Sequence, residues 1–223
     1  MYKPIPVSQA DRYRKGNWDV YSPKIKRYIE LLGDLNHELW LRVETDSKVE
    51  SFCERPIQIR ENIDRIVVDV TLSMWVKYTD GSEKFLYAQI ASSCNPHIAK
   101  KLQQNQLVVE EWNKKQQTQC QIITDEELRS NPTHLSNMKL LTSFVANHIS
   151  PIETDAKIIK KSFSQNPTSL LSIQQSLSNK IPANRVTESI CWMIYKGEIR
   201  SNWEQCPIGP KLEVWVNAEE ENN

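Results

Sequence analysis

Residues 66–91, IVVDVTLSMWVKYTDGSEKFLYAQIA, constrain the fold of this chain more than any other stretch. From Ile66 to Lys77, apolar side chains alternate with mostly polar ones, which is the period of a strand with one buried face. Asp80-Gly81 is a typical turn pair, and Phe85 to Ile90 has the composition of a return strand. The stretch therefore predicts two strands joined in a β-hairpin.

Composition and charge exclude several classes of protein. The formal net charge is zero, so the chain as a whole does not attract nucleic acid as a polycation would. Five glycines and no GxxxxGK motif make a phosphate-binding loop unexpected. The five cysteines include no CxxC pair and predict neither a zinc ribbon nor a disulfide framework. No stretch approaches the length of a membrane span, so we expect a cytoplasmic protein without membrane contact.

The predicted elements of the first part of the chain form a layered α/β domain over residues 1–129. Residues 1–21 hold early prolines and several basic side chains, and we expect an extended basic arm. Ser22-Pro23 predicts the start of one or two helices over residues 23–45, with Gly33-Asp34 as the point of division. The remaining elements are an edge strand over residues 49–59, the hairpin, a helix over residues 97–117 that Asn95-Pro96 opens, and a strand over residues 120–123.

The break at Ser130-Asn131-Pro132 predicts a boundary between two domains. The residues after it have mostly helical spacing, and two short strands are expected near the end of the chain. The expected helices span residues 135–147, 152–164, 168–178 and 183–196, and the strands span residues 198–202 and 212–216. Helices followed by a two-stranded ribbon are typical of a winged-helix domain, which we assign to residues 130–223.

The hairpin also carries the residues closest to metal chemistry. Phosphodiester cleavage by a metal-dependent nuclease needs clustered carboxylates that hold Mg²⁺. Asp69 lies on the first hairpin strand and shares a face with Ser73, while Gln89 offers only a carbonyl oxygen and Ala91 offers no ligand. Asp69 alone does not make a metal site. It is either a polar residue on the less buried strand face or a relocated ligand.

Two groups of polar residues are candidates for binding nucleic acid or a partner. The first group lies in or near the basic arm, which either follows phosphates or is simply solvated: Arg12, Arg14, Lys15 and Lys24. The second surrounds the predicted helix over residues 183–196: Asn184, Arg185, Thr187, Lys196 and Arg200. For this helix, DNA contact, protein contact and a purely structural role all remain open.

Several segments, taken in order, resemble the TnsA family, the endonuclease subunit of heteromeric transposases. The resemblance implies a restriction-endonuclease-like N-terminal domain followed by a C-terminal winged-helix domain. The segments are LNHELWLRVETDSKV (35–49), VESFCERPIQI (49–59), TDGSEKFLYAQIA (79–91), QIITDEELR (121–129), LSNMKLL (135–141) and IYKGE (194–198).

Carried over residue by residue, the resemblance implies a degenerate catalytic site. Asn36 stands at the position of the family's helix glutamate, Ser73 at that of its aspartate and Ala91 at that of its lysine, while Gln89 matches a position where the family tolerates glutamine. Without two anionic ligands, Mg²⁺ loses much of its binding energy.

Nearby acids are not expected to replace the missing ligands. Glu38 lies two residues from Asn36 on a helix and should point elsewhere. Along one continuous strand, Asp69 would lie about 13 Å from Ser73. Glu83 is a third nearby acid. No cofactor is expected if the site is inactive, and Mg²⁺ is expected if it is active.

The leading hypothesis is a TnsA-like subunit of a heteromeric DNA transposition machinery that serves as a DNA-binding or assembly component. The partners that this resemblance implies are a transposase subunit with a DDE-type core, an AAA+ transposition regulator and transposon-end DNA. One alternative is an active Mg²⁺-dependent endonuclease that nicks the 5′ ends of transposon DNA. Another is a winged-helix transcriptional regulator.

Overall fold

The computed structural model describes residues 2–117, 119–146, 151–163 and 166–216. The protein is mixed α/β and divides into two compact units. The first comprises residues 1–43 and 48–130, and the second comprises residues 44–47 and 131–223. Within the described ranges, every helix is too short or too polar to cross a bilayer.

The first unit opens with a short helix, a hairpin and a longer helix: α1 (Gln9–Lys15), β1 (Asn17–Ser22), β2 (Arg27–Leu32) and α2 (Gly33–Thr45). Strands β1 and β2 are antiparallel and pair from Asn17 with Leu32 to Ser22 with Arg27. In β2, Ile29 and Leu31 are buried, whereas the side chain of Tyr28 is mostly exposed. This alternation is that of a strand with one buried face.

Two predictions for this region are wrong. The extended arm over residues 1–21 contains α1 and β1, and the helix predicted to begin at Ser22-Pro23 begins at Gly33 instead. Ile25, Tyr28, Ile29 and Leu32 fit helical spacing, but strand pairing satisfies the backbone of this segment. Ser22 does not cap a helix, because residues 23–26 form the turn between the strands, and its hydroxyl accepts a hydrogen bond from Ile25 N (3.3 Å) within that turn.

The central sheet has four strands in the order β3 (Val49–Glu54), β6 (Met74–Tyr78), β7 (Glu83–Gln89) and β8 (Cys120–Thr124). Neighbours are antiparallel except β7 and β8, which are parallel and are connected through helix α3 (Pro96–Lys115). The predicted turn at Asp80-Gly81 between β6 and β7 is confirmed, with Gly81 at a φ of 83°.

The first predicted hairpin strand is not continuous. It divides into β5 (Ile66–Thr71) and β6, and β5 pairs with β4 (Gln58–Ile63) in a separate two-stranded ribbon. At the division, Leu72 N donates to Ile57 O (3.0 Å) and Ser73 N donates to Leu86 O (2.9 Å), so the chain passes from the ribbon to the sheet. The single edge strand expected over residues 49–59 is likewise two strands, β3 and β4, separated around Pro56.

Helix α3 packs on the ribbon and on one face of the sheet, where Trp112 lies edge-on to Phe85 at 5.3 Å between ring centroids. The buried cluster on this side contains Cys53, Ile59, Ile63, Val70, Leu72, Trp75, Phe85, Val108, Val109 and Cys120. A short helix, α4 (Asp125–Arg129), follows β8.

The second unit has four helices and a small sheet in its described residues. The helices are α5 (Pro132–Val145), α6 (Glu153–Lys160), α7 (Leu170–Ser176) and α8 (Ala183–Lys196), and the strands are β9 (Thr168–Ser169), β10 (Arg200–Ser201) and β11 (Glu213–Trp215). The sheet order is β10-β11-β9, and both pairings are antiparallel. Strand β9 was not predicted, because two residues carry no detectable periodicity.

Helix α8 is the central helix of the second unit. Every residue from Ser189 to Tyr195 is buried. Residues Glu44–Ser47 also pack in this unit, and the Tyr195 hydroxyl donates to Glu44 Oε1 (2.6 Å). Burial raises the pKa of Tyr195, so its hydroxyl stays protonated and remains a donor to the buried carboxylate.

Gly197 ends α8 next to Ser47, so a substitution at this glycine tests how residues 44–47 pack in the second unit. It has a φ of +72°, and a Cβ there would lie 2.7 Å from Ser47 Oγ. We expect Gly197→Ala to lower the free energy of unfolding by about 2 kcal/mol or more, because of backbone strain and the steric overlap. Urea denaturation followed by circular dichroism measures this change.

Gly209→Ala is the matched control. A Cβ at Gly209 would meet only Pro207 O, at 3.9 Å. Its unfolding midpoint should therefore stay close to that of the wild type. Equal midpoints for the two variants would contradict the packing described for Gly197.

Candidate functional site

A cavity of about 340 Å³ lies in the first unit, at the end of the sheet where the ribbon joins β6. It collects residues from the N-terminal segment, β2, α2, β3, the ribbon, β7 and α3. The lining includes Asp11, Asn36, Glu54, Arg55, Asp69, Ser73, Ala88, Lys101 and Asn105. Of the four positions expected at the degenerate catalytic site, Asn36 and Ser73 are in this lining, and Gln89 and Ala91 are not.

Asn36 and Ser73 are neutral and hydrogen-bonded within the unit. Asn36 lies in the first turn of α2, and its amide nitrogen Nδ2 donates to Leu32 O (2.7 Å). The Ser73 hydroxyl accepts a hydrogen bond from Ala88 N (2.9 Å) on β7. The cavity therefore brings the two positions together, but neither side chain offers a negative charge to a cation.

Gln89 and Ala91 lie at the end of β7. Gln89 is buried, and among the described residues its carbonyl oxygen Oε1 has no hydrogen-bond donor. Ala91 is exposed, and its backbone N–H donates to Asp125 Oδ1 (2.7 Å). A carboxylate thus lies beside the position where the resemblance implies a lysine.

Asp69 lines the same cavity as Ser73. The expectation that these residues lie on one continuous strand is wrong, because the chain changes sheets between them. The carboxylate of Asp69 accepts two hydrogen bonds from Arg60, at 2.6 and 2.9 Å, across the ribbon. This guanidinium lowers the pKa of Asp69. Asp69 is therefore an anion at the cavity, but one already held by a cation.

The other acids near the site also have hydrogen-bond partners. Asp11 lines the cavity and accepts from the Ser8 hydroxyl (2.6 Å). Glu54 lines the cavity, is buried and is held by Arg27 at 2.8 and 2.5 Å. Of the two further acids considered as substitutes, Glu38 is bound by Arg129 (2.8 Å) and Glu83 accepts from the indole of Trp75 (2.9 Å). Across the described part of the chain, no group of three or more His, Cys, Asp or Glu side chains is arranged to hold a metal ion.

The N-terminal segment forms one wall of the cavity through Ile5, Pro6 and Val7. Ile5 N donates to Arg55 O (2.9 Å), and Arg55 Nε donates to Ile5 O (2.9 Å). Closer to the N-terminus, the centroid of the Tyr2 ring lies 5.3 Å from that of the Trp75 ring. The segment that was predicted to be an extended basic arm is therefore in contact with the rest of the first unit.

The basic residues predicted in the arm are partly occupied by contacts within the unit. Arg12 forms an ion pair with Glu30, at 2.5 and 3.1 Å. Lys24 Nζ donates to Val49 O (2.9 Å). Arg14 and Lys15 lie in α1, and their side chains fall outside the described part of the structure.

Most of the candidates around α8 also contact their own unit. Arg185 pairs with the buried Asp155, with Nε donating to Oδ2 at 2.7 Å. The Thr187 hydroxyl accepts from Gln174 Nε2 (3.0 Å). Asn184, Lys196 and Arg200 are exposed, and Lys196 lies 3.8 Å from Glu198.

Sequence reasoning missed several of the lining residues, including Asp11, Arg55, Lys101 and Asn105. Lys101 and Asn105 are four residues apart on α3, so their common face follows from helical spacing. No comparable pattern links Asp11 or Arg55 to the site, because strand pairing and the N-terminal segment bring them there.

No family model matches this chain, and no curated protein matches its sequence at a significant level. Its function is therefore inferred from its own residues.

The ion pair at Asp69 yields a pH prediction. Because the pKa of Asp69 is lowered in the folded protein, the pair stabilises the fold above the ordinary aspartate pKa and is lost as the pH falls through the folded value. We expect Arg60→Gln to raise the Asp69 pKa toward its ordinary value, as measured by carboxyl NMR titration.

Asp80 is the internal control for this titration. Its pKa is also lowered, but by hydrogen bonds from Ser82, and it should not change in Arg60→Gln. An unchanged Asp69 pKa would show that Arg60 does not hold this carboxylate.

Proposed function

We propose that this chain is a TnsA-like subunit of a heteromeric DNA transposition machinery, acting as a DNA-binding or assembly component without a working nuclease centre. One observation carries the proposal: Asn36 and Ser73, from separate elements, line one cavity. These are the two positions at which the resemblance implies acidic metal ligands. Their meeting in one cavity is what a retained framework with altered chemistry would produce.

The arrangement of the first unit supports the proposed relationship to restriction-endonuclease-like domains. Helix α2 precedes three antiparallel strands, β3, β6 and β7, and α3 then leads to β8, which is parallel to β7. The expected hairpin is β6 and β7, and the ribbon of β4 and β5 is inserted before it. Ser73 lies at the entry to β6, next to the cavity.

The second unit supports a winged-helix assignment through its element order. Helices α7 and α8 lie between β9 and β10, and β11 returns between these two strands in the sheet. Helix α8 is buried from Ser189 to Tyr195, and Arg185 and Thr187 are engaged within the unit. A recognition helix contacts bases mainly through its N-terminal residues, and in α8 two of these, Arg185 and Thr187, are already engaged within the unit, which favours protein binding over base reading.

The charges at the cavity argue against phosphodiester cleavage. Mg²⁺ prefers several oxygen ligands, usually including carboxylates, and cleavage with two metal ions requires more of these ligands than cleavage with one. Three acids line the cavity: Asp69 and Glu54 are each paired with an arginine, and Asp11 accepts a hydrogen bond from the Ser8 hydroxyl (2.6 Å). A cation would have to displace a guanidinium before it could use Asp69 or Glu54, and Asp11 by itself does not make a site for Mg²⁺.

An active Mg²⁺-dependent endonuclease is the second candidate function. The observation in its favour is that Asp69 lines the same cavity as Ser73. In that case Asp69 would leave Arg60 when DNA and metal bind, and it would supply the carboxylate that Ser73 lacks. The transposase with a DDE-type core, the AAA+ regulator and transposon-end DNA are the proposed partners in either case, in the cytoplasm.

A nicking assay separates the two candidates. The full chain is incubated with transposon-end DNA and Mg²⁺ or Mn²⁺, with and without the candidate transposase. We expect a mobility shift of the DNA or of the transposase complex and no 5′-end nick that depends on this chain, because the cavity lacks a free cluster of carboxylates.

Asp69→Asn and Asp80→Asn form the matched pair for this assay, since Asp80 does not line the cavity. Nicks that require the chain, persist in Asp80→Asn and disappear in Asp69→Asn would replace the binding proposal with the endonuclease. The absence of any DNA or transposase association would contradict both candidates.

A further inference from the structure

A second cavity, of about 310 Å³, lies in the second unit between α6 and the C-terminal half of α8. Apolar side chains of Pro151, Ala156 and Met193 form part of its wall. Three lysines, two glutamates and the ring of Trp192 complete the lining: Lys157, Lys160, Lys196, Glu153 and Glu198. None of these residues lines the cavity of the first unit.

The lysines exceed the glutamates by one positive charge, and their pairing is uneven. Glu198 is shared by Lys160 (2.6 Å) and Lys196 (3.8 Å). Lys157 lies 3.9 Å from Glu153, and their side chains are 75% and 89% exposed. An exposed pair at that distance contributes little, so Lys157 can exchange its partner for an incoming carboxylate at small cost.

Trp192 supplies a donor without an acceptor. The residue is only 7% exposed, and among the described residues its indole nitrogen Nε1 is buried with no hydrogen-bond partner. Buried donors are nearly always satisfied, and an acceptor that reached this one would recover free energy lost on folding. The Lys196 ammonium lies 5.6 Å from the centre of the same ring, so a cation accompanies the donor.

We propose that this cavity binds an acidic peptide segment of a partner protein. A glutamate or aspartate side chain of the peptide accepts hydrogen bonds from the lysines beside the Trp192 ring, and an apolar side chain next to it packs on Ala156 and Met193. Lys196 is one of the residues for which the sequence analysis did not decide between contact with DNA and contact with a protein. This inference is carried by residues of the second unit alone and does not depend on the proposed role in transposition.

The mixture of charges favours a peptide over nucleic acid. A nucleic-acid strand presents phosphates at regular intervals, and those near Glu153 and Glu198 would be repelled. A peptide can place one carboxylate at the lysines and an apolar side chain against the wall, which combines anchoring with charge complementarity.

The test follows the Trp192 indole N–H directly by NMR. The ¹⁵N-labelled full chain is titrated with an acetylated and amidated hexapeptide, Glu-Glu-Leu-Leu-Glu-Glu, and the indole peak of Trp192 is assigned by its loss in Trp192→Phe. We expect this peak to move saturably with peptide concentration. Anisotropy of the fluorescein-labelled peptide should show at least a tenfold weaker Kd for the variant Lys157→Gln, Lys160→Gln and Lys196→Gln.

The matched control neutralises three exposed lysines of the same unit that do not line the cavity: Lys139, Lys180 and Lys211. Its Kd should stay within twofold of the wild type. Circular dichroism shows whether each variant is folded. If Trp192→Phe does not fold, the comparison of the two lysine variants still decides the outcome.

Four results would overturn the proposal. The first is a Trp192 peak that does not move at millimolar peptide, and the second is equal weakening by the two lysine triples. The third is a peak that moves with a twelve-base-pair DNA duplex but not with the peptide, which would assign nucleic acid to the cavity. The fourth is a peak that moves on concentrating the protein alone, which would assign a second copy of this chain.

Discussion

The hydrogen bonds of Ser73 hold together the part of the first unit from which its function is inferred. Its carbonyl oxygen accepts from Arg55 N (3.0 Å) after β3, and its N–H donates to Leu86 O (2.9 Å) on β7. Its hydroxyl accepts from Ala88 N (2.9 Å). These bonds determine where the chain leaves the ribbon and enters the sheet. The side chain of residue 73 is consequently held at the cavity, whatever its charge.

The local signals of the sequence predicted several elements of the fold closely. Asp80-Gly81 predicted the turn between β6 and β7, Asn95-Pro96 predicted the start of α3, and α8 has the predicted bounds. In each case the signal is a turn pair, a capping side chain or a proline, whose effect on the backbone is local. The errors came where two periodicities fit the same residues, as in β2, and pairing with β1 decided between them.

Only part of the candidate site could be predicted from the sequence. The resemblance implied that Asn36 and Ser73 belong together, and both line the cavity. The Arg60 partner of Asp69 and the Tyr195 partner of Glu44 were not predicted, because each pairing depends on which strand or helix becomes a neighbour. Such contacts carry much of the electrostatics of the protein, and they changed the role of Asp69 from a distant acid to a paired anion at the site.

Direct measurement of Mn²⁺ binding tests the central claim that this cavity has kept its framework and lost its metal ligands. Water-proton relaxation would be recorded for the wild type and for the double variant Asn36→Glu and Ser73→Asp. The account predicts no saturable Mn²⁺ site in the wild type and a new site in the double variant, because two carboxylates would then face one cavity. Tight Mn²⁺ binding by the wild type that is abolished in Asp69→Asn would contradict it.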